Sequence, residues 1–281
     1  MKIIHFGKEM QQTAHALHGQ GKRIGCVPTM GFLHAGHLSL VKLARERSDV
    51  VILTLFVNPT QFGPQEDLAK YPRNFERDAA LCREAGVDIL FAPEAPEMYA
   101  ADASIYVVEE KLSRGLCGAS RLGHFRGVCT VVAKLFNLCM PHVAVFGEKD
   151  AQQFRIIRRM TRDLNFPVEI VSGPTLREAD GLAMSSRNTY LSADERQQAL
   201  VLKRALDETA RLFRAGWRDA TALKTAMQKI ITQAPAAKID YIEIVDDETL
   251  EPVQTLRKPA LVALAVFIGK TRLIDNIVLK A

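Results

Sequence analysis

"IGCVPTMGFLHAGHLSLVKLARERSDVVILTLFVN", residues 24–58, is the stretch whose reading decides the fold. It begins as a short apolar segment broken at Pro28, then passes a turn carrying His34 and His37 around Gly36. An amphipathic segment follows, and the stretch closes on the apolar run "VVILTLFV" at 50–57. Leu40, Leu43, Ala44 and Arg47 fall at helical spacing, while the β-branched run suits a buried parallel strand. This is one βαβ unit. A right-handed crossover puts His34 and His37 at the carboxyl edge of its first strand, where open α/β sheets bind ligands.

The alternation continues outward. Helical patterns over 74–85, 128–138 and 150–164 alternate with strand patterns "VDILFA" at 87–92, "HVAVFG" at 142–147 and "VEIVSG" at 168–173. Strands alternating with helices predict a doubly wound parallel sheet over residues 1–174. After Gly173 and Pro174 the texture changes. The polar stretch "TLREADGLAMSSRNTYLS" leads to helices over 193–214 and 220–232, then to "IDYIEIV", "ALVALAVFIG" and "RLIDNIVL", which read as three strands. Residues 175–281 are therefore expected to form a smaller α+β domain.

The 281 residues are 48% hydrophobic and 25% charged, enough apolar content for a substantial core in each of two domains. No charge-free apolar stretch reaches membrane-spanning length, and "MKIIHFGKEMQQ" lacks the apolar centre of a signal peptide, so a cytoplasmic location is expected. The five cysteines are odd in number and form no C-x-x-C pair, which suits buried reduced thiols. A net charge of +5 admits an anionic partner without choosing one. "RIIRRMTR" at 155–162, the only dense basic run, is expected to be a solvated helix face. An RNA-binding module would need a stacking platform, whereas only 7% of residues are aromatic and no RNP-type motif occurs. No nucleic-acid or membrane partner is expected.

Three short motifs carry chemistry suited to a polyphosphate. In "HAGH" a helix amino terminus offers free N–H groups and partial positive charge, Gly36 admits close approach, and His37 and His34 add donors. "FGEKD" at 146–150 repeats that geometry after a later strand: Lys149 suits a phosphate and Asp150 suits ribose hydroxyls. "MSSRN" at 184–188 joins two hydroxyls to the guanidinium of Arg187, whose fork complements phosphate oxygens. "GKT" at 269–271 is not a P-loop, because Leu264 stands where the first glycine belongs, and no G-x-G-x-x-G is present. A zinc site is disfavoured, since no third ligand lies at suitable spacing.

His34-Ala-Gly-His37 resembles the HxGH signature of nucleotidyltransferases related to class I aminoacyl-tRNA synthetases, and "MSSR" resembles their second signature loop. "PTMGFLHAGH", "FVNPTQF", "YPR", "GHFRGVCTVVAKLFN", "FGEKDAQQF" and "DGLAMSSRN" occur in the order found in the pantothenate synthetase (pantoate–β-alanine ligase) family, and the resemblance spans essentially the whole chain. It implies a Rossmann-like sheet of the HxGH nucleotidyltransferase type, and a reaction in which pantoate and ATP give pantoyl adenylate and pyrophosphate before β-alanine displaces AMP. A nucleotidyltransferase that stops at nucleotide transfer is the competing enzyme reading. Leu122 departs from the family, which usually carries proline there.

By the same resemblance ATP binds at Met30, Gly31, His34, Gly36 and His37, at Gly147, Lys149 and Asp150, and at Leu176, Met184, Ser185, Ser186 and Arg187. His34, His37, Lys149 and Arg187 are the implied catalytic donors. Pantoate is implied to bind through Gln61, Gln153, Asn58 and Met30, the methionine packing on its gem-dimethyl group, while Arg121 is implied as a further substrate-binding residue, on a mobile segment near the phosphates. Neutral amides suit this task, because a bidentate arginine would stabilise the ground-state carboxylate and oppose its attack. Mg²⁺ is expected to arrive with ATP, with Asp78 as the implied protein carboxylate, and a homodimer is the family expectation. The smaller domain is expected to exclude water from the labile adenylate.

Overall fold

The computed structural model describes residues 1–64 and 66–280. In chain order the elements are β1 (Lys2–Ile4), α1 (Gly7–Gly19), β2 (Ile24–Thr29), α2 (Ala35–Arg45), β3 (Val50–Leu55), α3 (Phe75–Glu84), β4 (Ile89–Phe91) and α4 (Ala95–Met98). Then come α5 (Cys117–Ser120), α6 (His124–Cys139), β5 (Val143–Gly147), α7 (Ala151–Asp163) and β6 (Glu169–Gly173). The remainder is α8 (Ala193–Ala199), α9 (Val201–Arg214), α10 (Ala220–Ile231), β7 (Ala237–Asp246), β8 (Ala260–Ile268) and β9 (Thr271–Leu279). The helix expected over 193–214 is interrupted at Leu200.

Two compact units result. The first comprises residues 1–110, 121–148 and 153–174; the second comprises 111–120, 149–152 and 175–281. The last division falls at 174/175, and two short pieces, 111–120 and 149–152, group with the second unit. One buried side chain ties those pieces together: Gln152 accepts the Cys117 N–H at 2.9 Å and donates to the carbonyls of Leu112 and Gly115, each at 2.8 Å.

In the first unit the sheet order is β1-β4-β3-β2-β5-β6. Every pairing is parallel, so the doubly wound reading holds. The chain winds outward from β2 through β3, then crosses to β5 on the other side, which makes the β2–β5 boundary the switch point of the sheet. Gly25 pairs with Val143 and Cys26 with Ala144 across it. Central strands that are covered on both faces need continuous apolar runs. Val27, Val51, Leu53, Leu90, Val143 and Val145 accordingly join Leu40, Val41 and Ala44 of α2 in one buried cluster.

In the second unit β7, β8 and β9 form an antiparallel meander. The apolar faces of α9 and α10 pack with it, through Leu202, Leu206, Leu223, Met227, Val262 and Leu264. A buried ion pair anchors the polar hairpin that precedes α8: Arg177 donates through both terminal nitrogens to Asp275 on β9, at 2.7 and 2.9 Å. Asp275→Ala should cost about 3 kcal/mol, because it strands a guanidinium with little solvent access. Urea unfolding measures this; a loss within error would show that solvent repairs the pair.

All five cysteines are free and buried. Burial, followed by the charge of Asp78, pushes the Cys82 thiol up to about 12, and burial, followed by the charge of Glu109, does the same to Cys129. The basic run at 155–162 is only partly a solvated face. Arg158 and Arg162 are exposed, but Arg155 is buried, because α7 turns that position inward beside Ile156 and Ile157.

Candidate active site

His34 caps the amino terminus of α2 in extended geometry, directly above the carboxyl end of β2. Its N–H donates to Nδ1 of His37 at 3.3 Å, and the two rings lie 4.0 Å apart, tilted by 30°. An occupied Nδ1 lone pair fixes the tautomer of a neutral imidazole: the proton of His37 sits on Nε2. The motif thus places an Nε2–H donor at the amino terminus of a helix, whose partial positive charge is complementary to phosphate. Gly147, expected at the same site, ends β5, the strand paired with β2.

Three of the implied pantoate residues lie together. Gln61 is 8% exposed and sits in the 3₁₀ turn Pro59–Gln61. Its Nε2 donates to the Met30 sulfur at 3.1 Å, and its Oε1 accepts from Asn58 Nδ2 at 3.1 Å. Thioether sulfur is a weak acceptor, so this amide donor is held in place yet open to a stronger acceptor.

Asn58, expected at the substrate, is hydrogen-bonded within the protein. Its amide is committed internally: Nδ2 also donates to the Gly127 carbonyl at 3.1 Å, and Oδ1 accepts from the Tyr99 hydroxyl at 2.8 Å and the Thr60 hydroxyl at 2.9 Å. It stands behind Gln61 and orients it. Glycine is required where α6 meets this turn, since a Cβ on Gly127 would lie 2.4 Å from the Thr60 carbonyl oxygen.

Arg121, also expected at the substrate, is engaged within the first unit. Rather than offering its fork outward, it donates Nε to Glu66 Oε1 at 2.8 Å and Nη2 to Oε2 at 2.7 Å. Its Nη1 meets His124 Nε2 at 3.0 Å, and His124 Nδ1 meets the Gln61 carbonyl at 2.8 Å. A carbonyl can only accept, so the His124 proton is on Nδ1, and Nε2 accepts from Arg121. The chain of bonds ends on the backbone of Gln61. Adjacent Leu122 is 89% exposed.

Burial raises the Glu66 carboxyl pKa, but the hydrogen bonds and charge of Arg121, with a Gly63 backbone hydrogen bond, outweigh it and hold the group below its ordinary value. A depressed folded pKa gives stability that is present above the unfolded value and lost as pH falls through the folded one. Melting temperature should therefore drop on acidification below about pH 4.3, the unfolded glutamate value, and less steeply in Glu66→Gln. Parallel acid profiles for the two proteins would remove this ion pair from the account.

Asp78, implied as a magnesium ligand, does not fit that role. It is 1% exposed, and its oxygens accept the N–H groups of Phe32 at 2.6 Å and Leu33 at 2.8 Å. Among the described residues, no group of three or more His, Cys, Asp or Glu side chains is placed to hold a metal ion.

In the second unit, Ser185 caps the 3₁₀ turn Ser186–Tyr190 and accepts the Arg187 N–H at 3.3 Å. Asn188 fixes this turn by donating to Glu178 at 2.7 Å, and Arg196 clasps Glu178 and Asp180, each at 2.7 Å. Met184 N–H donates to the Leu176 carbonyl at 3.0 Å, so these two residues, both implied to bind ATP, bracket one hairpin. Half-buried Lys149 precedes exposed Asp150, and its carbonyl accepts from Asn276 at 2.9 Å. Gln153 is half-buried on α7 in the first unit. Sequence reasoning did not single out Glu66, Tyr99, His124 or Gly127; of these, His124 and Gly127 lie in "GHFRG", a motif that adjoins Arg121 and was quoted for its family resemblance alone.

A parallel sheet with a histidine-capped helix at its switch point is the arrangement in which α/β proteins of the nucleotide-handling class bind their ligands. A family model described as "Pantoate-beta-alanine ligase" matches residues 2–278. The chain belongs to that family. The pantothenate synthetase of Thermotoga petrophila is 56% identical over 279 residues, covering 99% of this chain and 100% of that protein. That of Moorella thermoacetica is 56% identical over 280 residues, covering 100% and 99%.

Among solved structures, a pantothenate synthetase from Thermus thermophilus superposes with a TM-score of 0.93 at 45% identity, covering 99% of each chain. A pantoate-beta-alanine ligase from Francisella tularensis, complexed with beta-gamma ATP and beta-alanine, gives 0.79 at 33% identity, covering 99% of this chain and 97% of that one. The protein is thus a ligase that joins pantoate to β-alanine. No helix among the described residues is long and apolar enough to cross a membrane.

Proposed function

We propose that the ligase activates pantoate as its adenylate before the amine takes part. A pantoate carboxylate oxygen attacks the α-phosphorus of ATP and pyrophosphate leaves. The β-alanine amine then attacks the acyl carbon, loses a proton to solvent, and AMP leaves. Direct attack on a free carboxylate would have to expel hydroxide, a poor leaving group. A thioester route is unattractive as well, because all five thiols are buried and the two at about 12 are protonated.

The observation that carries this reading is the His34–His37 cap at the carboxyl edge of β2. Charge builds on the phosphoryl oxygens as the carboxylate attacks, and a donor whose tautomer is already fixed stabilises it without reorganisation. His37, His34, Lys149, Ser185, Ser186 and Arg187 are assigned as donors to the triphosphate, with Gly36 and Gly31 allowing close approach. Asp150 is assigned to ribose, and Leu176 and Met184 to the base. ATP is taken as its magnesium complex, with the metal on the phosphates. Gln61 and Gln153 are assigned to pantoate, Met30 to its methyl groups, and Asn58 to orienting Gln61. Homodimeric assembly and a cytoplasmic location are carried over from the sequence expectation.

The test is a split between substrates. Gln61→Ala is expected to raise the apparent KM for pantoate by about 10-fold to 10²-fold, the size of a lost hydrogen bond to a charged group. The KM for ATP should hold. Equal rises in both would contradict the assignment.

A further inference from the structure

We propose that Asp78 is a positioning residue for the histidine cap: its buried carboxylate clamps the backbone just before His34. The inference rests on the assignment of His34 and His37 to adenylation. Between the end of β2 and α2 the chain makes a turn that L-residues resist. Gly31 has φ +81° and Phe32 has φ +51°, in the left-handed region where a side chain crowds its own backbone. Gly31 tolerates this by lacking a Cβ, and a methyl there would meet Asp78 Oδ2 and Leu55, each at 3.1 Å. Phe32 has no such freedom, so something outside the loop must hold it.

The first turn of α3 supplies the hold. Consecutive N–H groups of Phe32 and Leu33 converge on the two oxygens of Asp78, the arrangement of a backbone anion nest. Neighbouring Arg77 completes it by donating Nη2 to the Leu33 carbonyl at 2.9 Å, with its guanidinium 5.1 Å from the centre of the Phe32 ring. On the other side, Thr29 ties the loop to the sheet: its hydroxyl donates to the Thr54 carbonyl at 2.8 Å and accepts the Gly31 N–H at 3.2 Å. α3 itself is fixed by Asn74, which accepts the Arg77 N–H at 3.1 Å. Leu33 is the residue before His34, so the clamp sets where the helix begins and whether the His34 N–H reaches His37 Nδ1.

Asp78→Asn separates this role from metal binding. It keeps the shape but aims an N–H at one of the two backbone donors. Wild-type and variant are compared in three ways: long-range ¹H–¹⁵N imidazole spectra, the rate of pantoate-dependent exchange of pyrophosphate into ATP, and the Mg²⁺ concentration at half-maximal rate. The clamp predicts a displaced His37 tautomer signal and a kcat for exchange about 10²-fold lower, the penalty of misplacing a reacting group. It also predicts substrate KM values and an Mg²⁺ midpoint close to those of the wild type. A raised midpoint with the rate restored by excess Mg²⁺ would overturn it, as would unmoved imidazole signals. Displaced signals at full exchange rate would instead refute the assignment of the histidines to adenylation. Should Asp78→Asn fail to fold, Arg77→Ala removes the Leu33 bond and the guanidinium 3.5 Å from Asp78 Oδ1, and leaves the carboxylate with its two backbone donors. It is expected to move the same signals and slow exchange by a smaller factor, and no change in either would overturn the proposal.

Discussion

His37→Ala is expected to slow pantoate-dependent pyrophosphate exchange by about 10²-fold to 10³-fold, the loss that follows removal of one preorganised donor at a developing oxyanion. The expectation follows from the ring's hydrogen bonding. Because Nδ1 accepts the His34 N–H, the opposite nitrogen carries the proton, and that proton is available only while the cap holds. His37→Asn tests the geometry further, since its side chain offers an N–H donor from a shorter reach and should recover only part of the loss. ATP binding, measured by equilibrium titration, should weaken far less than kcat falls, because the donor acts chiefly on charge that develops in the transition state. Exchange at the wild-type rate would remove His37 from the chemistry.

Gly127→Ala should impair pantoate recognition through backbone alone. Its Cβ would lie 2.4 Å from the Thr60 carbonyl oxygen, 2.5 Å from the carbonyl carbon and 2.6 Å from the Gln61 nitrogen, all main-chain atoms that cannot swing aside. Either α6 or the Pro59–Gln61 turn must move, and each movement breaks the bond from Asn58 to the Gly127 carbonyl. Overpacking of this kind costs about 1–3 kcal/mol of stability. Displacing Gln61 should lower kcat/KM for pantoate by about 10²-fold. Gly19→Ala is the control, since no atom lies within 4 Å of its Cβ position, and it should be neutral within about 0.5 kcal/mol. An unchanged kcat/KM for pantoate in Gly127→Ala would mean that the turn tolerates displacement and that Gln61 is not positioned by α6.

The central βαβ unit was legible because its signals agree: an apolar strand, a helical period and a second apolar strand occur within residues 24–58. β1 and α1 were not. A three-residue strand has almost no period to read, and α1 buries only Gly7, Met10 and Ala14, a weak contrast against its polar positions. The break at Leu200 was invisible for a related reason, since its φ of −63° stays within helical range and no glycine or proline marks it.

Met30, Asn58 and Gln61 were singled out because two motifs, "PTMGFLHAGH" and "FVNPTQF", contain them. What each does depends on partners distant in sequence. Asn58 looks like a substrate ligand until its carbonyl oxygen is seen to accept the hydroxyls of Tyr99 and Thr60. Asp78 looks like a metal ligand until its oxygens are found facing two backbone N–H groups. Residue type shows that a carboxylate is present, whereas only the fold shows which charge or donor it meets. Arg121 follows the same logic, its fork being closed on Glu66.

The order of the two half-reactions is the central claim, and isotope exchange reads it directly. The enzyme is incubated with ATP, Mg²⁺, labelled pyrophosphate and pantoate, without β-alanine. The account predicts that label enters ATP only when pantoate is present, and that adding β-alanine then releases AMP. Label that enters ATP only after β-alanine is added, or release of ADP and inorganic phosphate, would contradict an adenylate formed before the amine takes part.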